Sequence, residues 1–250
     1  MNKTHLSYRT SNPALNSNTF KNTVKNSSIY LDQTMTIKGT VDKTALSLVL
    51  MILSGYYSFS PDMTQMLYIG SIGGFIVAIF TIFKKEWAPF TVPIYAILEG
   101  LFLGSISYLY DFQYEGIVLQ AISLTIFVLF SMLFAYRFKI IRPTENFKLA
   151  IFSAISGIAL LYIINFIMSF FGPGIYLLSP NNSSIISIGF SVFVVAVGAF
   201  SLVIDFDFIE EGSEKGAPKY MEWYGAFGLL VTLIWLYLEI LRLLSKLKNR

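Results

Sequence analysis

The sequence predicts an all-α polytopic membrane protein, a bundle of seven transmembrane helices. Three observations carry this. Residues of the AVILMFWYC set make up 55% of the 250 residues and charged residues only 13%, about half the charged share of an ordinary soluble protein. The apolar runs extend for about 20 residues, the length that crosses a hydrocarbon core. They are also continuous, where a lipid-facing β-barrel needs alternation.

Residues 1–42 are polar and Asn/Ser-rich, with no apolar core of the kind a cleavable signal peptide needs. They are expected to form a flexible cytoplasmic tail, leaving 43–250 as the transmembrane domain. Within that domain seven segments qualify as spans: 43–60, 66–83, 89–110, 117–136, 148–171, 184–204 and 222–243. The connections are too short to hold a folded soluble domain.

Orientation follows from the basic residues. With the N-terminus inside, the tail and the inner loops carry Lys3, Arg9, Lys21, Lys25, Lys38, Lys43, Lys84, Lys85, Arg137, Lys139, Arg142, Lys148, Lys215 and Lys219. The outer loops 61–65, 111–116 and 172–183 carry none. Seven crossings put the C-terminus outside, whereas its Arg242, Lys246, Lys248 and Arg250 favour the inner side, so both placements stay open. Tyr56, Tyr57, Trp87, Tyr108, Tyr110, Tyr136, Trp223 and Tyr224 fall near span ends, as interfacial aromatics do. Gly70 with Gly74, and Ser153 with Gly157, place small residues four apart for close helix packing.

Several chemistries are excluded. The chain has no cysteine, so disulfides, thiolate metal sites and a cysteine nucleophile are ruled out. His5 is the single histidine and lies in the polar tail, which argues against histidine-ligated zinc or a Ser-His-Asp triad. A net charge of +3 is too small and dispersed to point to nucleic acid. No P-loop is present, and no cofactor or enzymatic activity is expected.

The informative residues are acids in the hydrocarbon. Glu99 has about ten apolar residues on either side, near the midplane at 1.5 Å per residue. An ionised carboxylate there costs at least about 2.5–3.5 kcal/mol on insertion scales, which favours neutralisation, water or a cationic partner. Asp205 and Asp207 begin an acidic run at the inner end of the sixth span, continued by Glu210, Glu211 and Glu214. Because Phe206, Phe208 and Ile209 are interleaved with them, this turn is read as still partly embedded. Glu239 interrupts the seventh span three residues before Arg242, a spacing that allows an ion pair. Embedded carboxylates can hold a hard cation such as Ca2+, relay protons, or titrate as a coupled pair. Asp205 and Glu99 are the candidate Ca2+ positions, with no metal site certain.

The order of these features resembles the Bax inhibitor-1 (transmembrane Bax inhibitor motif) family. The resemblance lies in seven spans after a polar tail, ILEGLFLG around Glu99, LVIDFDF at the exit of the sixth span, and the terminal LYLEILRLLSKL. RTSNPALNSNTF, MTIKGTVDKT and EEGSEKGAPKYMEWYGAFGLL look like a bacterial branch, and hence like a protein of a bacterial plasma membrane. The resemblance implies a bundle whose last helix is central, and a pH-sensitive Ca2+ leak. It also implies a sensor pair formed by an acid of the sixth helix and one of the seventh. Carried over, the first is Asp205, with Asp207 as fallback, and the second is Glu239, where LYLE replaces the family's LYLD. A family arginine expected in the second span has no counterpart here. Glu239 follows Glu222 by 17 residues, about 26 Å along a straight helix, so Glu99 or Glu222 stands as the alternative partner of Asp205. The function expected is a protonation-gated cation leak in contact with lipid and with Ca2+ or protons. The alternative is a non-transporting membrane regulator that binds a protease or chaperone.

Overall fold

The computed structural model describes residues 34–250. The tail 1–33, including His5, lies outside the described residues. Seven long helices follow one another: α1 Ile37–Ser58, α2 Met66–Phe83, α3 Ala88–Gln113, α4 Ile117–Arg137, α5 Glu145–Ser169, α6 Ile185–Glu214 and α7 Met221–Lys248. Short 3-10 turns at Pro61–Met63, Lys85–Trp87 and Tyr176–Leu178 lie in the connections.

Local chemistry sets the boundaries. Thr36, Thr144 and Ser184 cap α1, α5 and α6 by accepting from the backbone N–H three residues on, which satisfies donors that the first helical turn leaves open. Proline opens α3, where a missing N–H costs nothing. Gly216, with φ of 65°, makes the reversal between α6 and α7 in a backbone region that disfavours side chains.

Three boundaries differ by five residues or more from the sequence reading, among them the end of α7 at Lys248 instead of 243. The first helix begins at Ile37 instead of 43, because Thr36 provides the cap and the polar stretch Lys38–Lys43 is helical. The sixth runs to Glu214 instead of 204, so the whole acidic run is helical. Among the described residues six helices are long and apolar enough to cross a membrane. The exception, α1, carries Lys38, Asp42 and Lys43 in its first two turns. The chain is thus a multi-pass membrane protein, with seven long helices among the described residues.

Burial identifies the centre. Within the most apolar part of α7, 67% of residues are buried, against 11% in α5. The last helix packs against α1, α3, α4 and α6, while α5 leans on α6 at the periphery. Tyr224, Phe227, Leu230 and Leu236 of α7 are among the largest fully buried side chains, and Tyr95 of α3 meets Phe227 edge-on, with centroids 5.0 Å apart. Polar bridges link helices across lipid depth: Ser107 with Tyr237 at 2.6 Å and Thr81 with Thr91 at 2.8 Å. Each such bridge contributes about 0.6 kcal/mol.

Lipid tails are as apolar as leucine, so helix association relies on close fit. Here α3 is gripped on two sides. A methyl group on Gly70 of α2 would fall 2.5 Å from the Leu98 carbonyl of α3. On the other side, a methyl on Gly100 would fall 1.9 Å from Ser54 Oγ and 2.3 Å from the Met51 carbonyl of α1. The Gly70–Gly74 pair therefore serves α2–α3 packing. The other small-residue pair does not, since Gly157 has no neighbour within 4 Å of an added methyl group.

These two environments give opposite signs for one substitution. Gly100→Ala should destabilise the bundle by about 1–3 kcal/mol through overpacking. Gly157→Ala should be stabilising by about 0.5–1 kcal/mol, because only the helical cost of glycine is removed. Thermal unfolding of both variants in one detergent compares them directly.

Candidate functional site

The embedded acids occupy four separate settings. Asp205 is 1% exposed on α6, and its Oδ2 accepts a 2.6 Å hydrogen bond from the Thr232 hydroxyl of α7. Thr232 follows Met221 by eleven residues, about 16 Å up the helix. Because α6 continues for nine residues past Asp205, this acid lies well inside the bundle and not at the inner end where a span finishing at 204 would put it.

Glu239 lies seven residues beyond Thr232 on the same helix, about 10 Å farther along. Its carboxylate accepts from Tyr162 of α5 at 2.7 Å, and Arg242 Nη1 reaches both of its oxygens at 2.9 Å. The same guanidinium nitrogen donates to the Tyr162 hydroxyl at 2.7 Å, with the guanidinium 5.2 Å from the tyrosine ring centre. Asp205 and Glu239 thus engage different levels of α7.

Glu99 is buried on α3 and faces α2. A methyl on Gly74 would fall 2.4 Å from its Oε1, so the absence of a side chain at that position is what admits the carboxyl group. No hydrogen bond to the Glu99 carboxyl occurs among the described residues. It belongs to the α2–α3 interface, whereas Asp205 belongs to α6–α7.

Asp207, two residues from Asp205, turns instead toward α5 and pairs with Lys148. Successive positions on a helix point in different directions, so the two aspartates meet different partners. Farther along the same run, Tyr136 of α4 donates to Glu210 and Lys215 pairs with Glu211. Among the described residues no three acidic or histidine side chains gather as a metal cluster. Ca2+ prefers six to eight oxygen ligands, so Asp205 and Glu99 do not make a built calcium site from carboxylates alone.

Two further ionisable groups matter: Glu222, named from sequence only as an alternative partner of Asp205, and Lys246, counted there only among the basic residues of the C-terminus. Glu222, in the first turn of α7, has no solvent exposure. It accepts from Thr36 N at 3.0 Å and Thr36 Oγ1 at 2.8 Å, and pairs with Lys43 at 2.9 Å and Lys219 at 2.8 Å. Gly39 leaves room for it, since a methyl there would fall 2.0 Å from Glu222 Oε1. Nearby, Met35 N donates to the Ala217 carbonyl at 2.6 Å.

At the opposite end of α7, Lys246 is fully buried. Its ammonium donates to the Leu177 carbonyl at 3.1 Å, the Ser187 carbonyl at 3.3 Å and Ser191 Oγ at 2.9 Å. Lys248 donates to the Glu115 carbonyl and Asn249 to the Pro180 carbonyl. The C-terminal end of α7 therefore lies with the 114–116 and 170–184 connections, opposite the start of α1. Apart from the i,i+3 pair of Lys219 with Glu222, the partners in both arrangements are distant in sequence, so a single stretch gives little hint of either.

Replacing Glu222 tests the first of these. Glu222→Gln keeps the shape but removes the charge that Lys43 and Lys219 face, and should lower stability by about 2 kcal/mol. Thr36→Val should cost less, because both lysine pairs remain. Unfolding midpoints in detergent rank the two.

The chain matches no curated protein and no solved structure. A family model described as Bax inhibitor 1 like matches residues 12–249, from the polar tail to the end of α7 and across every acid described above. With that coverage, the chain belongs to the Bax inhibitor 1 like family.

Proposed function

We propose that this protein is a pH-sensitive cation leak, with Ca2+ as the permeant ion, gated by protonation of embedded carboxylates. It works without enzymatic chemistry or a bound cofactor. Family membership supports the reading, and the observation that carries it is the Asp205–Thr232 contact. Glu239 faces a guanidinium, which can only donate. Thr232 offers a hydroxyl, which can donate to a carboxylate or accept from a carboxylic acid. The α6–α7 link at Asp205 is therefore compatible with either protonation state, and its polarity changes when a proton arrives. Asp205 is the sensing residue, Glu99 a second acid of the ion path, and Asp207 and Glu239 hold neighbouring helices through Lys148 and Arg242. The basic end of the bundle, with the start of α1, faces the cytoplasm of a bacterial cell.

The alternative is a non-transporting membrane regulator that binds a protease or chaperone. The salt bridges on Asp207, Glu222 and Glu239 favour it, because they make much of the buried charge structural.

Ca2+ flux from dye-loaded liposomes, measured across pH, separates the two. Asp205→Asn should hold flux at the acid-limit value of the unmodified protein at every pH. Thr232→Val should remain pH-dependent with a displaced midpoint, and Glu99→Gln should change flux by about tenfold, the size of one lost charge interaction. If Asp205→Asn and Glu99→Gln both keep the original profile, the leak reading fails and the regulator reading stands.

A further inference from the structure

Half of the described basic side chains at the α1-start end of the bundle are engaged within the protein. Lys43 and Lys219 pair with Glu222, Lys148 with Asp207 and Lys215 with Glu211, while Lys85 lies 5.6 Å from the Tyr224 ring centre. Among the rest, which include Lys38 and Lys84, Arg137, Lys139 and Arg142 form a cluster. All three are exposed, and no ion pair joins them to any described residue. They fall within six residues beginning at the last residue of α4 and are interleaved with Phe138, 64% exposed, and Ile140, 67% exposed. The acid nearest in sequence, Glu145, opens α5, where the helix dipole already favours its charge.

The turn that carries them has a defined shape. Lys139 N donates to the Tyr136 carbonyl and Ile140 N to the Ala135 carbonyl, both at 2.9 Å, the paired bonds of a Schellman ending. Its left-handed position, ordinarily glycine, is Lys139 with φ of 56°. A cation therefore occupies a backbone conformation that disfavours any side chain.

Below this rim α4 presents an unpartnered groove of about 570 Å³, lined by Ser123, Ile126, Phe127, Phe130, Ser131 and Phe134. These positions form one helical stripe. From Ser123 to Phe134 it runs about 16 Å, close to the roughly 15 Å half-thickness of the hydrocarbon core. The Phe134 and Phe138 rings, 4.3 Å apart, join the groove to the basic turn. A shallow apolar stripe one leaflet long, ending at three cations without an ion-pair partner among the described residues, is complementary to one kind of molecule.

We infer that this face binds an anionic phospholipid, with an acyl chain along the α4 groove and the headgroup on Arg137, Lys139 and Arg142. A membrane offers such headgroups to basic groups at its surface. The site is independent of the leak and adds a lipid ligand to the molecule.

The chain has no cysteine, so Ser131→Cys in the full-length protein gives a single attachment point for a fluorophore in the groove. Ser153→Cys on α5 serves as the reference. In vesicles, brominated phosphatidylglycerol should quench the label at 131 more strongly than brominated phosphatidylcholine at equal mole fraction, with little difference at 153. Arg137→Gln, Lys139→Gln and Arg142→Gln together should abolish the preference, each losing about fivefold in relative affinity. Should the triple variant fold poorly, Arg137→Gln alone supplies the same comparison. Equal quenching by the two lipids overturns the inference, as does a preference that survives neutralisation. Shielding of the label from both lipids also overturns it, because a second copy of the chain would then cover the stripe.

Discussion

Placing α7 at the centre of a lipid-embedded bundle brings four ionisable side chains inside with it, and the arrangement of the other helices follows from neutralising them. Glu222 takes the cap residue and a lysine of α1. Glu239 and Arg242 take each other and the Tyr162 hydroxyl of α5. Lys246 takes two carbonyls and a hydroxyl from α6 and the connection before it. An unmatched charge costs several kcal/mol in such a medium, so each match fixes a neighbour's height as well as its direction. Apolar packing alone would leave α7 free to slide, because lipid and leucine are equivalent partners.

The other half of the bundle is built differently. Where α1, α2 and α3 meet there are no ion pairs among the described residues, and the helices approach through glycine until backbone and hydroxyl atoms touch. Glu99 is buried there because the helices are close and Gly74 leaves a gap. The molecule thus combines a charge-keyed centre with a tightly nested flank, and its embedded acids are divided between the two.

The helices themselves were legible from sequence, since runs of about 20 apolar residues in a chain with so few charges have one physical solution. What sequence missed was the length of α6. The turn at Asp205 and Asp207 was read as partly embedded but placed beyond a span ending at 204, whereas the helix runs on to Glu214, with Lys148, Tyr136 and Lys215 meeting Asp207, Glu210 and Glu211. Asp205 gained depth by the same step. The Glu239–Arg242 contact lies within reach of i,i+3 reasoning. Tyr162 does not, because it comes from another helix 77 residues away in sequence. Lys219 lies within the same reach of Glu222, whereas Thr36, Lys43 and the carbonyl cage of Lys246 come from distant segments that one strand of text does not show.

The partners also distinguish the acids. Glu239 shares its oxygens with a guanidinium and Glu222 with two lysines, so each carboxylate ties cations to the central helix. Protonating Asp205 leaves the Thr232 hydroxyl able to turn and accept in place of donating. That rotation would reverse the polarity of the Thr232 bond between α6 and the central helix. The proposed response to a proton would thus act at a joint of the central helix whose ends are keyed in place by the ion pairs of Glu222 and Glu239.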